Sequence, residues 1–238
     1  MLLKLNQISK SFNSNPTQFF KHKSENKSVL NNISFRVDYG DCIALLGKNG
    51  SGKTTLLKII SGLLDHDHGD LALDNLNKNK ISIVNTNDRS FFYRLTIYEN
   101  LRFFSAFNHS FNKREFNAKT DEVLELLELT EKKDSLYMTL SSGEKKKVAF
   151  ARAILRDAKI LLFDEITSNL DIIARREILN FIENLLYEKK INAVIFSTHS
   201  LDEVISISNK ALILEDGYFK EEMAITKDTK ISDIEKLF

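Results

Sequence analysis

The sequence predicts an α/β protein built around a mostly parallel sheet. Short apolar runs typical of strands alternate along the chain with segments in which apolar residues recur at helical spacing. Such alternation is typical of parallel strands joined by crossover helices. The run Ile160–Phe163 is apolar at every position, as expected of a parallel strand that is buried on both faces.

The elements follow in a simple order. The predicted strands are Leu2–Ile8, Val29–Val37, Cys42–Leu46, Leu71–Leu73, Ile81–Val84, Ile160–Phe163, Ala193–Phe196 and Ala211–Leu214. The predicted helices are Lys53–Ser61, one through Leu101, Phe104 and Phe107, one through Val123, Leu124 and Leu127, Ser141–Leu155, Ile172–Leu186 and a short one at the C-terminus.

The order of the elements also suggests how the chain is divided. Only helical patterns occur between Asp88 and Asp157, and they interrupt the alternation. We therefore expect a single domain over residues 1–238, in which residues 88–157 form a helical subdomain. Residues 1–87 and 158–238 would form the core with an N-terminal β part. The polar segment Asn13–Ser28 holds the only proline and is predicted to be an extended loop between two early strands.

Composition argues against several classes of protein. The 34 Lys and Arg residues nearly balance the 33 Asp and Glu residues, so the basic excess typical of nucleic-acid binding is missing. No apolar run approaches the ~20 residues of a membrane-spanning helix, and Met1–Ile8 lacks the core of a signal peptide. The single cysteine, Cys42, is expected to be a buried apolar residue. We expect a cytoplasmic protein whose membrane role would come through a partner.

The segment from Gly47 to Thr54 predicts a nucleotide site. It reads G-K-N-G-S-G-K-T, fits G-x-x-x-x-G-K-[ST], and lies between an apolar strand and a helix. Its glycines allow a tight turn whose N–H groups point at a phosphate, and the helix N-terminus adds partial positive charge. Lys53 would follow charge on the β- and γ-phosphates, and the Thr54 hydroxyl would bind Mg²⁺. The predicted nucleotide-binding residues here are Gly47, Asn49, Gly50, Ser51, Gly52, Lys53, Thr54 and Thr55.

Two consecutive carboxylates, Asp164 and Glu165, follow the apolar run Ile160–Phe163. Open parallel sheets bind ligands at the carboxyl ends of their strands, so this pair is expected near the phosphate loop. Asp164 would hold Mg²⁺ through water, and Glu165 would orient and activate the attacking water. On its own such a pair is more often a surface turn, but the phosphate loop favours the catalytic interpretation.

Three further segments complete a resemblance to the ATP-binding subunits of ABC transporters. Leu140–Glu144, L-S-S-G-E, is similar to the L-S-G-G-Q signature of the family, and Ser168–Asp171, S-N-L-D, is similar to its D-loop. His199 lies at the end of the next strand, where the family has its switch histidine. The ordered set spans nearly the whole chain. The resemblance implies a P-loop NTPase (RecA-like) core, an N-terminal antiparallel β subdomain and an inserted α-helical subdomain.

The resemblance further implies a dimer that encloses two ATP molecules. Ser141 and Gly143 open a predicted helix, and in the family they face the γ-phosphate bound to the other protomer. Asp171 of the D-loop is a further expected nucleotide-binding residue. His199 would act with Glu165 and Lys53 in catalysis within one subunit.

Phe12 occupies the place of the family's aromatic residue that stacks on adenine. Phe12 could instead be a core residue at a strand end, and Tyr39 or Phe35 are alternatives for the stacking role.

The sequence departs from the family pattern at three places. Asn87 stands where the family usually has a glutamine that touches Mg²⁺, and Asp88 could substitute for it as an oxygen ligand. The signature has Ser142 for glycine and Glu144 for glutamine, and Ile166 replaces the proline that usually follows the glutamate. None of these changes removes a catalytic group, so an active ATPase is expected.

The leading functional hypothesis is the ATP-hydrolysing subunit of a bacterial ABC-2-like exporter, peripheral on the inner face of the cell membrane. Its expected partners are a second ATPase subunit, identical or different, and a membrane-spanning subunit. The membrane-spanning subunit would contact Arg89, Phe91, Phe92, Tyr93 and Arg94. Phe91 and Phe92 could equally be core residues. The segment Leu95–Leu101 and the short C-terminus favour export over import.

The alternative is a soluble ABC-type ATPase acting on ribosomes or DNA, which typically has two cassettes or long insertions.

Overall fold

The computed structural model describes residues 1–13, 26–74, 76, 78–84, 90–106, 112–165, 167–168 and 170–237. The strands are β1 (Leu3–Asn13), β2 (Asn26–Val37), β3 (Cys42–Leu46), β4 (His68–Leu73), β5 (Ile81–Ile83), β6 (Ile160–Asp164), β7 (Ala193–Ser197), β8 (Lys210–Glu215) and β9 (Tyr218–Ala224). The helices are α1 (Lys53–Ile60), α2 (Ile97–Ser105), α3 (Lys113–Leu126), α4 (Ser142–Leu155), α5 (Ile172–Tyr187), α6 (Leu201–Ile207) and α7 (Ile231–Glu235).

Several of the predicted site residues lie at the carboxyl ends of neighbouring strands in a central sheet. Its strand order is β5-β6-β7-β3-β8-β9, and all neighbouring pairs are parallel except β8 and β9. In the register, Ser197 at the end of β7 pairs with Leu45 of β3 on one side and with Asp164 of β6 on the other. The residues that follow these three strands therefore lie side by side.

The central strands are buried on both faces. Every residue of β3 is buried, and alternate residues belong to two different apolar clusters. Ile43 and Leu45 pack with α1 and with the N-terminal strands, whereas Ala44 and Leu46 pack with residues of α4, α5 and α6. This arrangement explains why the sequence of β3 is apolar throughout rather than alternating.

A second sheet, of order β2-β1-β4, is antiparallel, as the sequence prediction expected. It is joined to the central sheet at the turn between β8 and β9, where the Asn31 N–H donates to Gly217 O at 2.8 Å. A Cβ at Gly217, whose φ is +80°, would lie 2.5 Å from Val29 O, so the two sheets approach too closely there for any other residue.

Helices α2, α3 and α4 occupy the region between β5 and β6. Each begins with a capping box, formed by Thr96 with Glu99, Asn112 with Glu115, and Ser141 with Glu144. The helical content agrees with the sequence, and the division into a core and a subdomain at residues 88 and 157 stays a prediction. Across the described residues, none of the helices combines the length and apolar character that crossing a membrane requires.

The structure corrects the sequence prediction at the first loop and adds two elements. The predicted loop Asn13–Ser28 is wrong at its ends, because Asn13 pairs with Asn26 and Phe12 pairs with Lys27 in the β1–β2 ribbon. Residues 14–25 lie outside the described residues. The strand ends at residues 9–13 and 26–28, β9 and the seven-residue α6 were missed because exposed strand segments and very short helices lack a strong apolar pattern.

Candidate functional site

The phosphate loop connects β3 to α1 in a conformation that requires glycine at two positions. Gly47 has a φ of +148°, and a Cβ there would lie 2.2 Å from Leu214 O. Gly52 has a φ of +106°, and its Cβ would lie 2.8 Å from Val29 O. Because carbonyl groups of β8 and β2 occupy this space, the glycines of the motif are required by packing as well as by turn geometry.

A cavity of about 770 Å³ opens above the loop. Its volume lies in the range of about 300–1,000 Å³ that is typical of small-molecule sites. The cavity is lined by Phe12, Lys27, Ser28, Val29, residues 48–55, Asp164, Glu165 and residues 215–217. The structure thus brings Asn49, Gly50, Ser51, Gly52, Lys53, Thr54 and Thr55 together with both carboxylates at one site.

Lys53 and Ser51 present polar atoms suited to an anion. Lys53 is buried, and its Nζ donates to Gly47 O at 2.7 Å and to Lys48 O at 3.1 Å. Burial lowers the pKa of Lys53, although the charges of Glu165 and Asp164 oppose this shift. The buried Ser51 Oγ has no hydrogen-bond partner among the described residues. A bound phosphate would satisfy both groups.

Oxygen ligands suitable for Mg²⁺ lie next to the loop. The Thr54 hydroxyl donates to Asp164 Oδ2 at 2.7 Å, and the Ser197 hydroxyl donates to Asp164 Oδ1 at 2.6 Å. A hydroxyl beside a carboxylate is the kind of ligand set that Mg²⁺ completes with water and phosphate oxygens, so the residues present fit this ion. The predicted ligand Asn87, like its alternative Asp88, lies outside the described residues.

Glu165 and His199 meet at the same edge of the sheet. His199 Nε2 lies 3.0 Å from Glu165 Oε1, and both side chains are about half exposed. The backbone N–H of Glu165 donates to Ser197 Oγ at 3.1 Å, so one serine hydroxyl contacts both residues of the acidic pair. Glu165 has a φ of +52°, which is uncommon for a residue other than glycine and is found often at functional sites.

Ser141, Gly143 and Asp171 lie together on a surface separate from the cavity. The Ser141 hydroxyl accepts from Glu144 N–H at 3.2 Å at the start of α4, and Asp171 Oδ1 accepts from Ala174 N–H at 2.9 Å at the start of α5. A Cβ on Gly143 would lie 3.5 Å from Ala174 Cβ, so the two helix starts are adjacent. None of the three predicted residues lines the cavity.

Phe12 is the aromatic residue that the structure places at the cavity. Its side chain is 41% exposed on the cavity wall, with Lys10 Nζ 5.6 Å from the ring centroid. Phe35 is buried and stacks on Phe219 at 6.0 Å, and Tyr39 is exposed but does not line the cavity. Among the three candidates, Phe12 alone could reach a base bound there.

Sequence reasoning missed several residues of the site. Ser197 contacts both members of the acidic pair, and Lys27 and Ser28 line the cavity although the sequence assigned them to a loop. Ser197 could have been found from its place at the end of an apolar strand. The cavity role of Lys27 depends on pairing between two strands, which no local pattern shows.

A buried strand, a glycine loop, a buried lysine and adjacent carboxylates define a P-loop nucleotide-binding site. The sequence model described as "ABC transporter" matches residues 30–168, more than half of the chain. The chain therefore belongs to the ABC transporter family, as an ATP-binding subunit of the ATP-hydrolysing type.

Individual relatives agree with this assignment. The chain is 33% identical over 210 residues to the spermidine/putrescine import ATP-binding protein PotA of Thermotoga maritima, covering 85% of this chain and 55% of the relative. It thus spans about half the length of that relative. It is 32% identical over 208 residues to the energy-coupling factor transporter ATP-binding protein EcfA1 of Streptococcus pyogenes, covering 84% of this chain and 74% of the relative.

A solved structure shows the same fold. The ATP-binding cassette MJ0796, determined as a dimer in a post-hydrolysis state with ADP and Pi, superposes with a TM-score of 0.78. The match is 24% identical and covers 94% of this chain and 99% of the other.

Proposed function

We propose that this chain dimerises around two ATP molecules and hydrolyses them to power transport through a separate membrane-spanning subunit. The observation that carries the proposal is the division of the predicted residues between two surfaces. The loop, Asp164, Glu165 and His199 meet at one sheet edge, whereas Ser141, Gly143 and Asp171 lie on a different exposed surface. The second surface would complete the site of a partner.

ATP would bind with its phosphates on the loop and its base on the β1–β2 ribbon. The loop N–H groups, the start of α1 and Lys53 would hold the phosphates, because all of them present positive charge to the cavity. Phe12 would stack on the adenine ring. Mg²⁺ would be held by Thr54 and Asp164, and it would neutralise charge on the β- and γ-phosphate oxygens.

Glu165 and His199 would act on the terminal phosphate. A carboxylate accepts a proton from attacking water, and Glu165 lines the cavity close to Lys53, so it is suited to this role. His199 would contact the γ-phosphate from the same subunit. The Glu165–His199 contact of 3.0 Å keeps both groups at the point where the two strand ends meet.

Ser141 and Gly143 would contact the γ-phosphate held by the other subunit. The start of α4 offers N–H groups and a helix dipole to an anion, and Gly143 carries no side chain that would hinder the approach. Next to this surface, Ile172 and Ile173 are 84% and 74% exposed. Apolar side chains exposed to this degree beside Asp171 suit a surface that a partner covers. That partner would be a second copy of the chain or a related ATPase subunit.

The membrane subunit would contact an aromatic patch beside α2. We define this patch as Phe92, Tyr93, Phe103, Leu136 and Met138, which are between 40% and 55% exposed. Aromatic residues and methionine are enriched at protein interfaces.

Neighbouring residues fix the geometry of the patch. The buried Asn100 holds the loop that carries Phe92 and Tyr93, because its side chain accepts from Phe92 N–H at 2.8 Å and donates to three carbonyl groups. Phe91 instead enters the core, where it stacks on Tyr137 at 4.7 Å.

Contact between the aromatic patch and a membrane subunit would place the chain at the cytoplasmic face of the membrane. Export is the direction that the sequence favours, from the segment Leu95–Leu101. The name of PotA refers to import, so transport assays in both directions are required to test the direction.

The substitution Glu165→Gln tests the proposal directly. We expect the variant to bind ATP, to lose at least about a hundredfold in hydrolysis rate, and to accumulate as an ATP-bound dimer during size-exclusion chromatography. Glu188→Gln is a matched control, because Glu188 lies at the far end of α5 from Asp171. Normal hydrolysis by Glu165→Gln would exclude Glu165 as the base. A wild-type chain that neither hydrolyses ATP nor dimerises with it would refute the whole proposal.

A further inference from the structure

Glu203 is a buried carboxylate that the proposed mechanism does not use, and it lies next to the segments that carry Glu165 and His199. Glu203, in the first turn of α6, is only 3% exposed. Burying a carboxylate is costly unless hydrogen bonds and opposite charges compensate it. Its two oxygens accept hydrogen bonds from Thr167 Oγ1 and, at 2.6 Å, from Thr198 Oγ1.

These two threonines belong to the two segments that carry Glu165 and His199. Thr167 is two residues after Glu165, and Thr198 immediately precedes His199. Both threonines are buried, and the Thr198 hydroxyl also accepts from Ser200 N–H at 3.0 Å. Glu203 therefore connects the segment that follows β6 to the segment that follows β7.

Two cations extend the network toward the surface predicted to meet the partner. Arg175 of α5 has its Nε 3.8 Å from Glu203 Oε1. Lys146 of α4 donates from Nζ to Ser168 O at 2.6 Å. Burial lowers the pKa of Lys146 to about 8, and the charge of Glu203 opposes that shift. Arg175 thus pairs directly with Glu203, whereas Lys146 holds the Ser168 carbonyl group of the segment that follows β6 and is linked to Glu203 by electrostatic attraction.

We propose that Glu203 is a positioning residue for ATP hydrolysis: its carboxylate holds the Thr167 and Thr198 segments so that Glu165 and His199 keep their mutual geometry. The inference rests on the proposed function. Glu203 does not line the cavity, so it acts through the two segments rather than on ATP itself. A misplacement of reacting groups by about 1 Å can cost about a hundredfold in rate, so loss of either hydrogen bond should be measurable.

Thr198→Val and Thr167→Val test the inference, since each removes one hydroxyl while preserving side-chain shape. We expect kcat to fall about tenfold or more, with the KM for ATP within about twofold of wild type, because neither threonine lines the cavity. Thr198→Ser and Thr167→Ser keep the hydroxyl and should restore most of kcat. Thr120→Val is the matched control, because Thr120 is buried in α3 and its hydroxyl has no partner among the described residues.

A double-mutant cycle separates positioning from general stability. If Thr198 acts through His199, then Thr198→Val should cause no further loss of kcat in a His199→Ala background. An equal loss in both backgrounds would overturn the inference. So would a lowered unfolding temperature with kcat unchanged in both valine variants. A wild-type chain without ATPase activity would overturn the proposed function as well, whereas an active wild type with unaffected variants refutes this inference alone.

Discussion

The phosphate loop and the start of α4 both present a helix N-terminus, but the two regions are built differently. The loop encloses a cavity, requires glycine because of nearby carbonyl groups, and holds a buried lysine against its own backbone. The start of α4 is exposed, and Gly143 has room for a side chain. Its capping box already satisfies the Ser141 hydroxyl and the Glu144 N–H.

This difference indicates which molecule supplies the rest of each site, the same chain or a partner. The phosphate loop is held in shape by its own chain, because carbonyl groups of β2 and β8 lie against its glycines and Asp164 of β6 accepts from Thr54. Among the residues that the structure describes, none encloses the start of α4 in a comparable way, and the proposed function assigns that role to a partner. The predictions below test this distinction, beginning with the largest effect.

Lys53→Ala should produce the largest effect. Removing the ammonium group takes one hydrogen-bond donor from the carbonyl groups of Gly47 and Lys48 and removes a cation that would face the phosphates. We expect ATP binding to weaken strongly and hydrolysis to become undetectable in a phosphate-release assay. Lys58→Ala, on the exposed side of the same helix, should leave turnover unchanged. An unchanged turnover in Lys53→Ala would contradict the assignment of the loop.

Adding one methyl group to each region should have opposite effects on stability. Gly52→Ala should lower the free energy of unfolding by about 2–4 kcal/mol, because the new Cβ meets Val29 O and the backbone is left-handed. Gly143→Ala should raise that free energy by about 0.5–1 kcal/mol, because alanine favours the helix. Gly143→Ala should nevertheless lower kcat about tenfold if the surface meets a partner's phosphate.

Gly40→Ala provides the control for this pair. Gly40 has a φ of +86°, but the space around its Cβ position is open. The substitution Gly40→Ala therefore measures the cost of backbone strain without a steric clash. We expect a cost of about 1–2 kcal/mol from denaturant unfolding. Equal losses in Gly40→Ala and Gly52→Ala would mean that close packing at the loop contributes little.

Glu144→Gln should have the smallest effect, limited to the free energy of unfolding and its dependence on pH. Burial opposes ionisation of Glu144, but hydrogen bonds from Lys132 and from the Ser141 N–H outweigh it and lower the pKa below the model-peptide value of 4.5. The carboxylate therefore stabilises the folded state above about pH 4.5, and this contribution is lost as the pH falls through the lower folded-state pKa. We expect the variant to be about 0.5–1 kcal/mol less stable at pH 7. The difference should shrink on acidification, and a difference that grew would contradict this account.

The sequence predicted the central fold because its signals are local. The phosphate loop has a fixed spacing, and Ile160–Phe163 is apolar throughout, so its carboxyl end could be placed beside the loop. Glu203 could not be found in this way, because its burial depends on hydroxyl groups from two other segments. Phe91 and Phe92 show the same limit: adjacent aromatic residues differ in burial because Arg152 and Tyr137 cover only the first.

In the proposed binding mode, a nucleotide would bridge the two sheets of the chain. The cavity wall proposed to hold the base belongs to the β1–β2 ribbon, and the wall proposed to hold the phosphates belongs to the central sheet. The Asn31–Gly217 hydrogen bond lies at the boundary between the two sheets. A ligand that contacts both sheets and binds only when they are docked raises the unfolding free energy by RT ln(1 + [L]/Kd). At about one hundred times Kd this amounts to about 2.7 kcal/mol. Cellular ATP would thus help to set how firmly the ribbon is attached to the central sheet.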